Sequence, residues 1–143
     1  MKRIILLAFL CTTTLVMAQR INHVQEAIAN YDYEAALTLI AKEKPTIPLL
    51  LQKGKAQRGL GMNTEALSTY QEIITNDTAN TRAYIEAAEC CRSLAKYQQA
   101  LKYYEQALDL NPENKYVRIQ YIGLLLSLQK FQDALGESSL MTE

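Results

Sequence analysis

The chain repeats itself at intervals of 34 residues, and this period constrains the fold more than any other feature of the sequence. Leu60, Leu94 and Leu128 fall in register. Three triplets that end in Ala-Leu align at the same interval: Glu65-Ala66-Leu67, Gln99-Ala100-Leu101 and Asp133-Ala134-Leu135. A period of this length is typical of arrays in which each repeat is one supersecondary unit that packs against its neighbours.

The clearest unit runs from Thr81 to Asn114, and its spacing of apolar and small residues by three and four predicts two helices. The predicted buried faces consist of Tyr84, Ile85, Ala87, Ala88, Cys91 and Leu94 in the first half and Ala100, Leu101, Tyr104, Ala107 and Leu108 in the second. We expect helices over 81–94 and 97–110 with a short break between them. The second helix ends at Asn111-Pro112, because proline disfavours helix at the residue before it.

This unit also matches a known repeat pattern at its aromatic, small and proline positions. The matching residues are Tyr84, Ala88, Tyr97, Ala100, Tyr104, Ala107 and Pro112. The unit resembles a tetratricopeptide repeat (TPR), with Tyr84 where that family often has tryptophan. The resemblance implies an all-α fold, a right-handed α-solenoid of antiparallel helix pairs with about three to four repeats.

The register divides residues 19–143 into one TPR domain with repeats over about 21–46, 47–80, 81–114 and 115–143. The first repeat is irregular, because Ala36 lies only 30 residues before Ala66. We expect Pro45 to stop its second helix early. Terminal repeats of such arrays are often atypical, so a degenerate first unit agrees with the assignment.

The fourth repeat departs from the pattern. Ile122 stands where the family prefers a small residue, so we expect the close helix crossing to shift to Gly123. By analogy with the earlier units, a helix that begins near Phe131 would continue past Glu143, so the repeat is predicted to be incomplete. Apolar surface is expected at Leu124, Leu125, Leu126 and Leu140.

Residues 1–18 are predicted to be a secretory signal peptide rather than part of the fold. Lys2-Arg3 precedes a mostly apolar segment, and Val16-Met17-Ala18 resembles a cleavage site before Gln19. An uncleaved membrane anchor is the alternative, although the apolar run is short of the roughly 18 residues of a spanning helix. A lipoprotein with Cys11 as the attachment site is a third reading, which the bulky Phe9-Leu10 fits poorly. We therefore expect an exported, periplasmic or envelope-associated protein.

Charge and composition exclude some function classes. The chain has 143 residues with 15 basic and 15 acidic side chains, so its formal charge is zero. A nucleic-acid-binding protein is expected to show a basic patch or stripe, which these scattered lysines do not form. We predict no nucleic-acid partner.

The candidate chemical groups favour structural roles. Cys90 and Cys91 are adjacent on a predicted helix, where their side chains point about 100° apart, so we interpret them as small apolar core residues. His23 is predicted to lie on the surface. Glu86 and Glu89 are three residues apart and could pair as acid and base, although most such pairs are solvated. Gly59 and Gly61 lack the rest of a dinucleotide-binding motif. The sequence predicts no enzyme activity, cofactor, metal or small-molecule substrate.

The TPR resemblance implies that ligands bind a groove lined by the first helix of each repeat. The equivalent positions are Leu51, Gln52, Lys55, Arg58, Arg82, Ile85, Glu86, Glu89, Arg92, Tyr116, Ile119, Gln120 and Gly123. Mixed charges and apolar residues suit an extended peptide or a partner helix. TPR domains that bind chaperone tails use a lysine and asparagine pair, which neither Leu51 with Lys55 nor Ile85 with Glu89 reproduces.

Two functional hypotheses follow from these observations. The first is an exported scaffold or adaptor that binds a protein partner and has no chemistry of its own. The alternative is that the repeats form the front module of a longer envelope protein or enzyme, which the incomplete fourth repeat motivates. Self-association through the apolar C-terminal surface is a third and weaker hypothesis.

Overall fold

The computed structural model describes residues 21–141, and the regular structure within that range is helical throughout. The helices are α1 (21–29), α2 (Tyr33–Ile40), α3 (Ile47–Gly59), α4 (Asn63–Asn76), α5 (Thr81–Ser93), α6 (Tyr97–Leu110), α7 (Lys115–Ser127) and α8 (Phe131–Ser139). The all-α prediction is confirmed. Among the described residues, none of these helices combines the length and apolar character that a membrane crossing requires. The predicted signal peptide falls outside the described range.

The helices gather into two compact units that divide between Gly61 and Met62. Helices α1 to α3 belong to the first unit and α4 to α8 to the second. The division lies inside the predicted repeat 47–80, between its two helices.

The core of the first unit is formed by apolar side chains of all three of its helices: Val24, Ile28, Ala36, Ile40, Leu49 and Ala56. Helix α2 packs against α3. Gly59 lies directly beneath the ring of Tyr33, where an added Cβ would overlap the ring atoms. Gly59 is therefore explained by close helix packing.

The expectation that Pro45 ends the second helix of the first repeat is wrong. Helix α2 ends at Ile40, and the backbone N–H of Glu43 donates to the carbonyl of Ile40 at 3.0 Å in the turn that follows. The stretch Lys42-Glu43-Lys44 offers no apolar side chain that would extend the buried face, so continued helix gains nothing from packing. Pro48 lies in the first turn of α3, where a backbone N–H is not needed.

The second unit follows the predicted hairpin pattern closely. Helix α5 packs against α4 and α6, α6 also packs against α7, and α7 packs against α8. The predicted span of α6 is confirmed, and its buried residues are the five predicted ones. Helix α5 ends one residue earlier than predicted, at Ser93. Periodicity alone therefore located this hairpin.

Repeated asparagines begin the first helices of this unit. The Asn80 side chain accepts a hydrogen bond from the Ala83 backbone at 3.1 Å, and Asn114 does the same for Val117 at 3.1 Å. Each bond satisfies one of the free N–H groups at a helix start. The match of Asn80 with Asn114 in the sequence is thus a capping signal.

The turn between paired helices has the same backbone geometry in successive repeats. Gly61, Ala95 and Gln129 are in register and all have positive φ, at 75°, 56° and 59°. Tyr31 takes the equivalent role in the first unit, with φ at 60°. Glycine suits this left-handed conformation, whereas a side chain strains it. The 34-residue repeat is therefore also seen in the φ angles of the residues in these turns.

Two expectations about the fourth repeat are corrected. Gly123 is exposed, and a Cβ added there would meet nothing within 4 Å, so no helix crosses closely at that residue. Leu124 and Leu125 are buried, whereas Leu126 and Leu140 are exposed as expected. Successive residues turn by about 100° along a helix, so three consecutive leucines cannot all face outward.

Candidate interaction groove on the first helices

The predicted groove residues lie on three helices. Helix α3 of the first unit carries Leu51, Gln52, Lys55 and Arg58, of which Lys55 is exposed and the others are half-buried. In the second unit, α5 carries Arg82, Ile85, Glu86, Glu89 and Arg92, and α7 carries Tyr116, Ile119, Gln120 and Gly123. The last two sets define what we term the α5–α7 groove.

A hydrogen bond joins the two helices of this groove. The Nη1 atom of Arg92 donates to Oε1 of Gln120 at 2.8 Å. The two residues are 28 positions apart in the sequence and lie on the first helices of adjacent repeats. The structure therefore brings together one predicted site residue from each helix.

The inner wall of the groove holds a network around Glu89. The hydroxyl of Tyr104 on α6 donates to the Glu89 carboxylate at 2.5 Å, and Arg92 Nη1 lies 3.4 Å from the same carboxylate. Burial, followed by the bond to Glu89, raises the pKa of Tyr104 well above its ordinary value. The bond to Tyr104 raises the pKa of Arg92. Glu89 thus takes part in a network with Tyr104 and Arg92 that ties α5 to α6.

The outer wall of the groove is an exposed apolar stripe on α7. Tyr116, Ile119 and Leu126 are 58%, 53% and 48% exposed. They follow one another by three and seven residues, so they share one helix face. The predicted groove residues included Tyr116 and Ile119 but not Leu126, which was expected only as exposed apolar surface. Its position two helical turns after Ile119 would have placed it on the same face.

A cavity of about 370 Å³ opens where these two walls meet. It is lined by Arg92, Tyr97, Gln120, Gly123, Leu124, Ser127 and Leu128. Within residues 21–141, the side-chain hydrogen bonds of Arg92 all leave from Nη1. The Nε and Nη2 donors therefore remain for a carbonyl group of a ligand.

The remaining chemical candidates lie away from the groove surface. Cys90 and Cys91 are fully buried and form no disulfide within residues 21–141, which confirms their interpretation as core residues. Burial raises the pKa of Cys91, so its thiol stays protonated near neutral pH. His23 is exposed on α1, as predicted. In the described part of the chain, no three His, Cys, Asp or Glu residues gather as a metal site would require.

Comparison with known proteins shows what the repeat is similar to. Residues 92–137 match the family described as tetratricopeptide repeat. Human tetratricopeptide repeat protein 6 is 30% identical over 89 residues, which cover 62% of this chain and 16% of that protein. The matched segment therefore spans less than a fifth of the length of that human protein.

Two solved TPR structures share the fold. A tetratricopeptide repeat protein from Parabacteroides merdae is 23% identical with a TM-score of 0.78, covering 86% of this chain and 51% of that one. The first TPR of Spaghetti (RPAP3), bound to the HSP90 peptide SRMEEVD, is 20% identical with a TM-score of 0.74, covering 78% and 92%. A TPR domain is a protein–protein interaction module. The predicted TPR architecture is thus confirmed at the level of fold.

Proposed function

We propose that this chain is an exported, non-catalytic scaffold or adaptor that binds a peptide or partner helix in the α5–α7 groove. The observation that carries the proposal is the exposed stripe of Tyr116, Ile119 and Leu126 beside the cavity at Arg92 and Gln120. Exposed apolar residues next to a few convergent polar groups are typical of peptide-binding surfaces. The TPR repeat, an interaction module, supports the same function.

The chemistry of the groove favours a partner segment with apolar side chains. The outer wall on α7 carries no charged residue among Tyr116, Ile119, Gln120, Gly123 and Leu126. Apolar side chains on that wall would be removed from water by a partner, at a gain of about 25 cal/mol per Å² of apolar area. The free donors of Arg92 would orient the partner through a backbone carbonyl.

An acidic peptide such as the one bound to the first TPR of Spaghetti fits this groove less well. Ile85 and Glu89 stand where a carboxylate-clamping pair would be needed, so α5 lacks that pair. We therefore propose selectivity for apolar segments over acidic tails.

Site-specific photocrosslinking tests the groove directly. A photoreactive residue at position 119 should give a saturable adduct with a partner in intact cells, and Ile119→Glu should lower the affinity at least tenfold. The same photoreactive residue at Gln106, which is exposed on α6, serves as the matched control. Equal labelling at the two positions would refute the groove as the binding site.

Export is proposed from the sequence pattern of residues 1–18. Intact mass measurement of the protein from fractionated cells should show a chain that starts at Gln19 in the envelope or periplasmic fraction. A chain that keeps Met1 to Ala18 and stays in the cytoplasmic fraction would contradict export. That result would leave the groove proposal unaffected.

A further inference from the structure

The first compact unit contains a cavity of about 380 Å³. It lies between the end of α2, the turn that follows and helix α3. The apolar part of its lining includes Leu37, Ile40, Leu49 and Leu50. Small-molecule sites in proteins usually have volumes of about 300–1,000 Å³. The cavity is therefore large enough for a small ligand.

The cavity lies where α2 is shorter than its counterparts. Helix α2 has 8 residues, whereas α4 and α6 have 14 each. Counted from the helix starts, Glu43 takes the position of Ile73 on α4 and of Ala107 on α6, which are both fully buried. Lys44 takes the position of Leu108, which is also buried. The first unit therefore lacks the apolar side chains that fill this place on α4 and α6.

On the opposite wall, polar side chains stand at core positions of the repeat. Lys53 on α3 is in register with Ala87 on α5, and Gln57 is in register with Cys91. Ala87 and Cys91 are fully buried, whereas Lys53 and Gln57 line the cavity. Polar groups are costly in an apolar interface unless they have polar partners. The two substitutions therefore suit a ligand that carries a polar group as well as an apolar part.

The charges around the cavity favour an anion. In the described lining, Lys44 and Lys53 contribute two positive charges and Glu43 contributes one negative charge, so the net charge is +1. Within residues 21–141, neither lysine forms an ion pair. Lysine binds carboxylates through charge-assisted hydrogen bonds. The cavity thus combines an apolar lining with two unpaired positive charges.

We infer that this cavity binds an unbranched aliphatic monocarboxylate. The aliphatic chain would contact Leu37, Leu49 and Leu50, in place of the apolar side chains that α4 and α6 supply. The carboxylate would pair with Lys44 and Lys53. The ligand is bound and not converted, so the inference adds a binding site and no enzyme activity. This site belongs to the first unit and does not depend on the proposed function of the α5–α7 groove.

Isothermal titration calorimetry of the full chain with sodium octanoate tests this site. We expect saturable binding of one octanoate per chain. 1-Octanol has the same chain length without the charge and should bind at least tenfold more weakly, and acetate, which lacks the long chain, should show no saturable binding. No saturable binding of octanoate, or equal affinities for octanoate and 1-octanol, would overturn the inference.

A lysine variant tests the position of the carboxylate. Lys53→Met removes the charge and keeps an unbranched side chain, so the affinity for octanoate should fall at least tenfold while that for 1-octanol changes less than twofold. A merely structural role of Lys53 would lower both affinities. Lys55→Met, at an exposed lysine of α3 outside the cavity lining, is the matched control and should change both affinities less than twofold. Equal octanoate affinities of the two variants would overturn the inference.

A double variant tests the cavity itself. Glu43→Ile combined with Lys44→Leu introduces the residues that α4 and α6 have at these positions, and it should abolish octanoate binding while circular dichroism shows an intact helical fold. Unchanged octanoate binding in this variant would overturn the inference. N-acetyl-leucine, which imitates the carboxyl terminus of a peptide, should bind the unmodified chain more weakly than octanoate. Tighter binding of N-acetyl-leucine would also overturn it, since the occupant would then be a peptide terminus.

Discussion

Helices α5 and α7 occupy the same position in successive repeats, yet they offer very different surfaces. On α5, the groove-facing Glu89 and Arg92 are tied to Tyr104 and to each other. On α7, the groove-facing Tyr116 and Ile119 are exposed and apolar. Helix α5 pairs Glu89 and Arg92 within the protein, whereas α7 leaves apolar side chains in contact with water.

The two helices also differ inside the protein. The core of α5 consists mainly of small residues, with Ala87, Ala88 and Cys91 fully buried. Helix α7 buries Arg118 in register with Tyr84, and this arginine pairs with Glu137 of α8 and donates to the Pro112 carbonyl at 2.8 Å. Repeats with the same backbone geometry can therefore use different side chains in the interfaces between their helices.

The largest expected effect comes from separating the partly buried ion pair between Arg118 of α7 and Glu137 of α8. Glu137→Gln should lower the free energy of unfolding by roughly 3 kcal/mol, because it leaves the Arg118 charge buried without its counter-ion. Urea unfolding would measure the change. Asp133→Asn, an exposed neighbour on α8, is the control and should cost less than about 0.5 kcal/mol. If Glu137→Gln and Asp133→Asn lower the free energy of unfolding equally, the Arg118–Glu137 pair does not give α7 a stabilising contact that α5 lacks.

A smaller effect is expected from exchanging the core residues of the two helices. Ala88→Ile places on α5 the residue that α7 has at the matching position, and overpacking should cost about 2 kcal/mol. The reverse change, Ile122→Ala, should cost less, because Ile122 is half-buried and leaves little cavity. Thermal unfolding of both variants measures the asymmetry. Similar losses would mean that the α5–α6 packing is no tighter than the α7–α8 packing.

Glycine substitutions in the turns after α5 and α7 should change the stability by equal amounts, because the two turns have the same backbone geometry. The difference between the two repeats would then lie in their helices. Ala95→Gly and Gln129→Gly should each raise the free energy of unfolding by about 1 kcal/mol, because glycine removes the strain of a positive φ. Gly61→Ala is the opposite change and should lower it by a similar amount. Chemical denaturation provides the values. A loss of stability in Ala95→Gly would refute the strain argument.

The smallest expected effect is a fall in stability at alkaline pH. Burial and the carboxylate partners Glu89 and Glu105 raise the pKa values of Tyr104 and Tyr121 above the ordinary value. A raised folded-state pKa means that the native state holds the proton longer, so this stability is complete below about pH 10 and is lost as the pH rises further.

Urea unfolding midpoints measured between pH 8 and pH 11 test whether the stability falls as the pH rises. In Tyr104→Phe, the urea midpoint should fall less at alkaline pH than in the unmodified chain, because the variant lacks one of the two hydroxyls with a raised pKa. Tyr97→Phe, at a partly exposed residue of the same helix, is the control. A midpoint that rises with pH would contradict the assigned pKa directions.

Much of the fold was predictable because helix periodicity is local. The residues of α6 that alternate by three and four are the buried ones, and Asn111-Pro112 ends that helix where expected. Placement in the groove was predictable for Arg92, Gln120 and Ile119, since the period transfers a position from one repeat to the next. Whether these residues bind a partner stays a prediction.

Other features could not be read from spacing. Tyr104 belongs to a second helix, and its role as the donor to Glu89 depends on how α6 packs against α5. Pro45 was expected to stop α2 early, yet the helix already ends at Ile40. A sequence shows where a helix is sterically forbidden more clearly than where packing no longer supports it.

The sequence by itself determined the helices, the asparagine caps of α5 and α7 and the order of the hairpins, because these depend on residues within a few positions of one another. Only the tertiary structure decided that Arg92 meets Gln120, that Leu124 and Leu125 are buried, and that Ala95 and Gln129 adopt a left-handed backbone. Contacts between helices depend on the angle and depth of packing, which a repeat period does not encode.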